Sequence, residues 1–274
     1  MVIGTTEILR SGFAPPSGTS NDDAVKVQLV QRIDDYDLAN LELIQERELL
    51  DRVDRKFLTT TGVVAQFLAM VVGDYKVLAA GESRWAKYET CYFDTPELFS
   101  FHEHIRGRRP RYKVRIRHHV ERQRSFLEVK RKCNNGKTIK ARVSREFGNA
   151  QLAVGDLDFI REHCPFEAAQ LEQSVWTNFR RATLIGIHTN ERITIDLGLT
   201  FERGEQSSAR HLLAIVELKQ PRFSHTTPAA LALRALHVRE SSMSKYCAGV
   251  ADLHEGARKR ARQEMSRRLE RIFE

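Results

Sequence analysis

The chain has 274 residues, 41% of them hydrophobic, which is ample for a packed core and excludes disorder of the whole chain. Its 44 Lys and Arg outnumber 36 Asp and Glu, and the formal charge of +8 favours anionic partners such as phosphorylated small molecules, polyanions, nucleic acid or a membrane surface. Cys91, Cys133, Cys164 and Cys247 show neither CxxC spacing nor a nearby His pair, which argues against a zinc site or disulfide framework and for reduced thiols in a cytoplasmic protein.

Residues 1–24, rich in Gly, Pro, Ser and Thr, read as a flexible leader that lacks the pattern of an export signal. No segment reaches the roughly 18 apolar residues of a membrane span. A main domain is expected over 25–253, entered by one helix through VQLVQRIDDYDLANLELIQERELL, which ends at Leu50. RVDRKFL then sets Arg52, Asp54 and Lys56 on one side of a strand. TGVVAQFLAMVVGDY, 61–75, predicts a buried helix capped by Thr, and RWAKYETCYFDT, 84–95, an aromatic-rich strand.

RYKVRIRHHV, 111–120, places Arg111, Lys113, Arg115 and Arg117 on one face and Tyr112, Val114 and Ile116 on the other. FLEVKRK, 126–132, sets Glu128, Lys130 and Lys132 opposite Leu127 and Val129, and TIKARV, 138–143, continues with Lys140 and Arg142. CNNGK between them is a hairpin signal. VGDLDFIREHCP, 154–165, predicts a short helix stopped by Pro165. Three more strands follow: SVWTNFRRATLI, 174–185, with Arg181; ERITIDLGLTF, 191–201, with Arg192, Thr194 and Asp196; and LLAIVELKQ, 212–220, with Glu217 and Lys219. PAALALRALHVRE, 228–240, predicts a helix with Pro at its start. Residues from about 248 predict a basic amphipathic helix, and 254–274 are set apart as its C-terminal, Arg-rich part.

A charged face on one such strand is ordinarily a solvated face. Here the faces are dominated by Arg and Lys with isolated carboxylates, which points to one shared, enclosed polar surface. The expected fold is α+β: about eight antiparallel strands forming a β-barrel tunnel with a charged interior, covered by helices. Cations crowded in a lumen repel one another and lose hydration, so the lumen needs a dense anion, and a chain of phosphates is the natural guest. Glu217, and beside it Glu128 and Asp54, are candidate ligands for a divalent metal that bridges phosphates. Asp196 reads rather as a counter-ion. His102, His104, His118 and His119 cluster in sequence, but neighbouring residues on a strand face opposite ways, so surface or pairing roles are expected of them rather than a metal site.

The motifs RVDRKF, YETCYFDT, KVRIR, FLEVKRK, TIKAR, NFRRATL, ERITID, IVELKQ and SKYCAG, in this order from about Glu46 to Leu253, resemble the VTC domain. That is the polyphosphate polymerase domain of the vacuolar transporter chaperone complex, here similar to its soluble bacterial form, within the triphosphate tunnel (CYTH-like) superfamily. The resemblance implies an eight-stranded tunnel in which the terminal phosphate of ATP passes to a growing polyphosphate chain with Mn²⁺ or Mg²⁺. It further implies that Arg115, Arg117, Lys130, Lys140, Arg181 and Arg192 clasp phosphates, that Lys56 reaches the transferred phosphate, that Glu217 holds the metal and that Lys245 contacts the chain. Arg52, Lys113, Lys132, Arg142 and Lys219 complete the expected substrate-binding set.

Two positions depart from the family pattern. Arg52 replaces the first Glu of the ExExK signature with Asp54 at the second, and Ser242 stands where eukaryotic polymerases carry a second Lys before SKY. The alternatives to a polymerase are a metal-dependent triphosphatase and a non-catalytic polyphosphate or RNA binder. Nucleic acid is disfavoured, because few aromatics interleave with the cations. Any transport role would require a membrane partner.

Overall fold

A computed structural model describes residues 29, 31–47, 52–241, 243–255, 257, 263, 267 and 272. The leader over 1–24 and Ser242 lie outside the described residues, as does most of 254–274.

In chain order the elements are α1 (Leu41–Glu46), β1 (Val53–Thr60), α2 (Thr61–Val71), β2 (Tyr75–Val77), β3 (Ala86–Asp94), α3 (Phe99–Ile105), β4 (Arg111–His119), β5 (Arg124–Lys132), β6 (Thr138–Arg145), α4 (Val154–His163), β7 (Glu172–Gly186), β8 (Arg192–Arg203), β9 (Gln206–Arg210), β10 (Leu213–Gln220), α5 (Pro228–Ala235) and α6 (Lys245–Leu253). All strand pairs are antiparallel, and the main path runs β1-β10-β8-β7-β3-β4-β5-β6, with β2 added on β7 and β9 on β8. The eight expected strands are the eight of this path. Its edges, β1 and β6, do not pair with each other among the described residues, so the sheet curls without closing by hydrogen bonds.

The curl is visible in what α6 touches. Lys113 on β4 donates to Ser244 Oγ at 2.7 Å, while the next residue, Lys245, pairs with Asp196 on β8. Those strands are three places apart, about 14 Å in a flat sheet at ~4.8 Å per strand. Two adjacent residues reach both because the sheet bends around them.

Alternation along the strands then sorts the two faces. The convex face is apolar and carries two cores. In one, α2 and α5 lie over Phe57, Val216, Leu218, Ile193 and Leu184. In the other, the α4 region lies over Cys91, Val114, Ile116, Leu127 and Val129. The concave face is divided. Its charged part runs over β1, β10, β8 and β4–β6. In its apolar part, Leu58, Val175, Leu199, Phe201, Leu213 and Ile215 receive Tyr246, Cys247 and Val250 of α6. Large side chains buried this fully contribute about 1.5–3 kcal/mol each, so α6 is a structural plug.

Gly249 makes the plug possible. A Cβ at this position would stand 2.8 Å from both Phe201 Cδ1 and Val175 Cγ2, so only glycine allows the helix this close to the sheet. Asp94 ties α6 to α3: it accepts from the backbone N–H groups of Thr95, Ser100 and Phe101 and from the Tyr246 hydroxyl.

Several boundaries differ from the sequence reading. The single helix expected before Leu50 is interrupted by a turn and a parallel bridge between Leu38 and Val77, with Asn40 capping α1 afterwards. The helix at Pro228 ends at Ala235, just before His237 takes a positive φ of 55°. The helix expected from about 248 starts earlier, at Lys245, where Ser244 accepts from the Cys247 N–H, and breaks after Leu253, while the described residues 263, 267 and 272 further on are helical. The hairpin at 133–137 forms as expected, with Gly136 at φ 82°.

Candidate functional site: a cation-lined concave face

Register decides which charges meet. On β4 and β5, Arg115 lies opposite Glu128 and Lys113 opposite Lys130, and on β6 Lys140 lies opposite Lys130. Glu128 is 1% exposed. It accepts from Arg115 Nε at 2.6 Å and pairs with Arg115 Nη2 at 2.5 Å, and its other oxygen pairs with Lys140. Two similar clamps stand on neighbouring strands. Asp196 receives Arg181 at 2.5 and 2.7 Å together with Lys245. Glu217 receives Lys56 at 2.7 Å together with Lys219, and Thr194 donates to it at 3.4 Å.

The electrostatics follow from this arrangement. Burial pushes Glu128, Asp196 and Glu217 up, but their paired cations outweigh it and hold all three carboxyls well below the usual carboxylate range. Three cations in the same space are less compensated. Arg115 first, then burial, then Arg117 depress Lys130, which has no hydrogen bond or ion pair among the described residues. Burial and then Arg115 lower Arg117 to about 10; its Nε donates to Thr90 Oγ1 at 3.1 Å, and its guanidinium lies 5.4 Å from the Tyr88 ring. Burial lowers Lys219 to about 8 despite Glu217.

Beyond this centre, the remaining predicted residues form its surroundings. Asp54 is held by Arg52 at 2.9 Å, Lys132 donates to the Gly136 carbonyl, and Arg142 stacks 4.9 Å from Phe126. Arg192 lies opposite Lys219 at the start of β8. The sequence reading missed the neutral partners: Tyr92, whose hydroxyl accepts from Arg115 Nη1 at 3.0 Å, and Thr90, Thr194 and Ser244. Tyr88, Thr90 and Tyr92 alternate along β3, and this was the signal available in YETCYFDT. Of the histidines, His118 faces outward, 2.5 Å from Ser125 Oγ and stacked on Trp176, while His119 faces inward.

No group of three His, Cys, Asp or Glu among the described residues is placed to hold a metal. A divalent ion here would be held by one carboxylate and completed by phosphate oxygens and water, an arrangement Mg²⁺ accepts. Glu217 and Glu128 each have both oxygens paired with cations, Lys56 and Lys219 on the one and Arg115 and Lys140 on the other, so an ion at either would displace a paired cation. Glu217, the less buried of the two and with the Thr194 hydroxyl beside it, is the more accessible. Among the described residues no helix is long and apolar enough to cross a membrane.

Among solved structures, a candidate adenylate cyclase from Bacillus halodurans aligns with a TM-score of 0.46 and 12% identity over 75% of this chain and 98% of its own. A candidate adenylyl cyclase from Hippeastrum, described as having a dominant triphosphatase activity, aligns at 0.43 and 12% over 73% and 96%. The PH1012 protein of Pyrococcus horikoshii aligns at 0.40 and 12% over 72% and 97%. No curated protein matches. The family model described as the VTC domain matches residues 51–254, the stretch that builds the curled sheet, its cations and the plug, and the chain belongs to the VTC-domain family.

Proposed function

We propose that this protein is a polyphosphate polymerase, transferring the terminal phosphate of ATP to a growing inorganic polyphosphate chain. The observation that carries the reading is the excess of inward cations over carboxylates: Arg117 and Lys130 stand in the charged part of the face without a carboxylate of their own. Buried like charges are tolerated when an anion is the intended occupant, and several closely spaced cations require a polyanion.

In this mechanism Arg115, Arg117, Lys130 and Lys140 bind the triphosphate, and Lys56 and Arg181 neutralise the phosphoryl group in transit. The bond from the terminal phosphorus to its bridging oxygen breaks as an oxygen of the acceptor chain bonds to that phosphorus, leaving ADP and a chain longer by one unit. Positioning and charge neutralisation supply most of such catalysis. The carboxylates keep the cations in fixed rotamers before substrate arrives, with Glu128 and Asp196 holding Arg115 and Arg181. A divalent ion, Mn²⁺ or Mg²⁺, held at Glu217 would add charge neutralisation at the phosphate oxygens. Four free cysteines support a cytoplasmic setting.

One observation favours a second reading. α6 fills one part of the concave face, which leaves less room for a threading chain and suits transfer to water, as in a triphosphatase. Incubation with ATP and Mn²⁺, resolving ADP, free phosphate and polyphosphate on a gel, separates the two. ADP with a long-chain ladder, absent in Glu217→Gln, is expected; ADP with free phosphate alone makes the enzyme a triphosphatase.

A further inference from the structure

At the end of β4 away from Ser244, the concave face becomes aromatic. His119 follows Arg117 by two residues, about 6–7 Å along the strand at ~3.3 Å per residue. Register sets Tyr88 of β3 opposite His119, and Phe126 of β5 opposite Arg117. The three rings meet edge to face: Tyr88 and His119 have centroids 4.6 Å apart at 62°, and His119 and Phe126 are 5.5 Å apart at 72°. All three are only half-buried, unlike the rings of the convex cores.

Cationic planes border this group. Arg117 lies 5.4 Å from the Tyr88 ring and Arg142 lies 4.9 Å from that of Phe126. Burial, then Arg117, lowers His119 to about 4, so at neutral pH it is an uncharged ring rather than one more phosphate ligand. Half-exposed rings next to guanidiniums form the usual surface for stacking a nucleobase, which every base satisfies through its π-face. The position is also right for one: the phosphate cations begin at the next inward residue of β4.

We propose that Tyr88, His119 and Phe126 form the seat for the nucleobase of a nucleoside triphosphate whose phosphates lie among Arg115, Arg117 and Lys130. The proposal rests on the phosphate-binding reading above and adds a place for the rest of the nucleotide. A seat built from stacking alone discriminates weakly among bases, so ATP and GTP are expected to bind comparably. The competing role for these rings is to hold Arg117 and Arg142 in place, which would serve any phosphate ligand equally.

The test compares ATP with inorganic tripolyphosphate by calorimetry on the full chain at one salt concentration. Phe126→Ala and His119→Ala are expected to weaken ATP by about 5- to 150-fold, the range for loss of one stacked base, while tripolyphosphate changes by no more than about twofold. Phe126→Trp is expected to restore ATP binding and to report it by quenching that tripolyphosphate does not produce. Equal losses for both ligands would assign the rings to arginine positioning and overturn the seat, as would no loss for either. Wild-type protein that binds ATP no better than tripolyphosphate sinks the seat alone; wild-type protein that binds neither sinks the phosphate reading. Should His119→Ala fail to fold, Phe126→Ala, at a half-exposed position, decides the matter.

Discussion

The charged and apolar parts of the concave face are made by the same strands. Lys56 and Leu58 are two residues apart on β1, as are Glu217 and Ile215 on β10, and β7 carries Val175 and Phe179 in line with Arg181. Yet one part is packed shut by α6 and the other holds carboxylates clamped between cations with further cations left over. A strand's period decides which face a residue takes, while the residue types decide whether that face is filled by the protein or kept for a ligand. The apolar part is stabilised by filling itself. The charged part carries an electrostatic penalty that a polyanion relieves.

The largest effect is expected inside a clamp. Arg115→Met leaves buried Glu128 with Lys140 as its cation, and urea unfolding should show a loss approaching the ~3–5 kcal/mol of a broken buried pair. Adding Glu128→Met should recover part of it, because an apolar pair of similar size is tolerated where a buried charge that has lost its closest partner is not. If the double variant is as unstable as the single one, the clamp is not what sets the charged part apart. For the same reason charge reversal at Arg115 is a poor probe of binding: it would unsettle the fold as well as the site.

Gly249→Val probes the apolar part. Its new atoms meet Phe201 and Val175, and overpacking of this kind costs ~1–3 kcal/mol, a drop of several degrees in melting temperature. Since Ser244 and Lys245 begin the same helix, tripolyphosphate affinity should fall too, and unchanged melting and binding would show that α6 is not a plug. The smallest effect is a pH trend at the border of the charged part. Between about 4 and 6.5 the unfolded chain holds a proton on His119 that the folded chain, with His119 lowered to about 4, does not. Stability therefore rises with pH across that window through this residue and is flat above it. Thermal melts of His119→Phe should show a shallower slope there, and an unchanged slope would mean that the ring is not held uncharged.

Much of this was legible in the chain. The alternation in RYKVRIRHHV and TIKARV needs no tertiary information to separate two faces, and the expected cations of β4, β5, β6, β8 and β10 do share one. The clamps were less so, because who pairs with whom depends on register: Lys140 lies opposite Lys130 yet pairs diagonally with Glu128. Asp196, read as a counter-ion, has that geometry. The plug was hidden because KYCAGVADL merges into the Arg-rich segment after it, and nothing in its composition says that its apolar side faces the inside of the sheet. β2 and β9, at three and five residues, are too short for a period to declare itself.

Whether the charged part of the concave face seats a chain of phosphates is decided by titrating inorganic tripolyphosphate into wild-type protein and into Arg117→Gln/Lys130→Gln. Neither cation neutralises a carboxylate of its own, so the variant should melt no lower than wild type. Charged hydrogen bonds contribute ~1.5–3 kcal/mol each, so losing two should weaken binding about 100-fold or more. Wild-type protein that does not bind tripolyphosphate, or a variant that binds it as tightly as wild type, would mean that this face does not seat a phosphate chain.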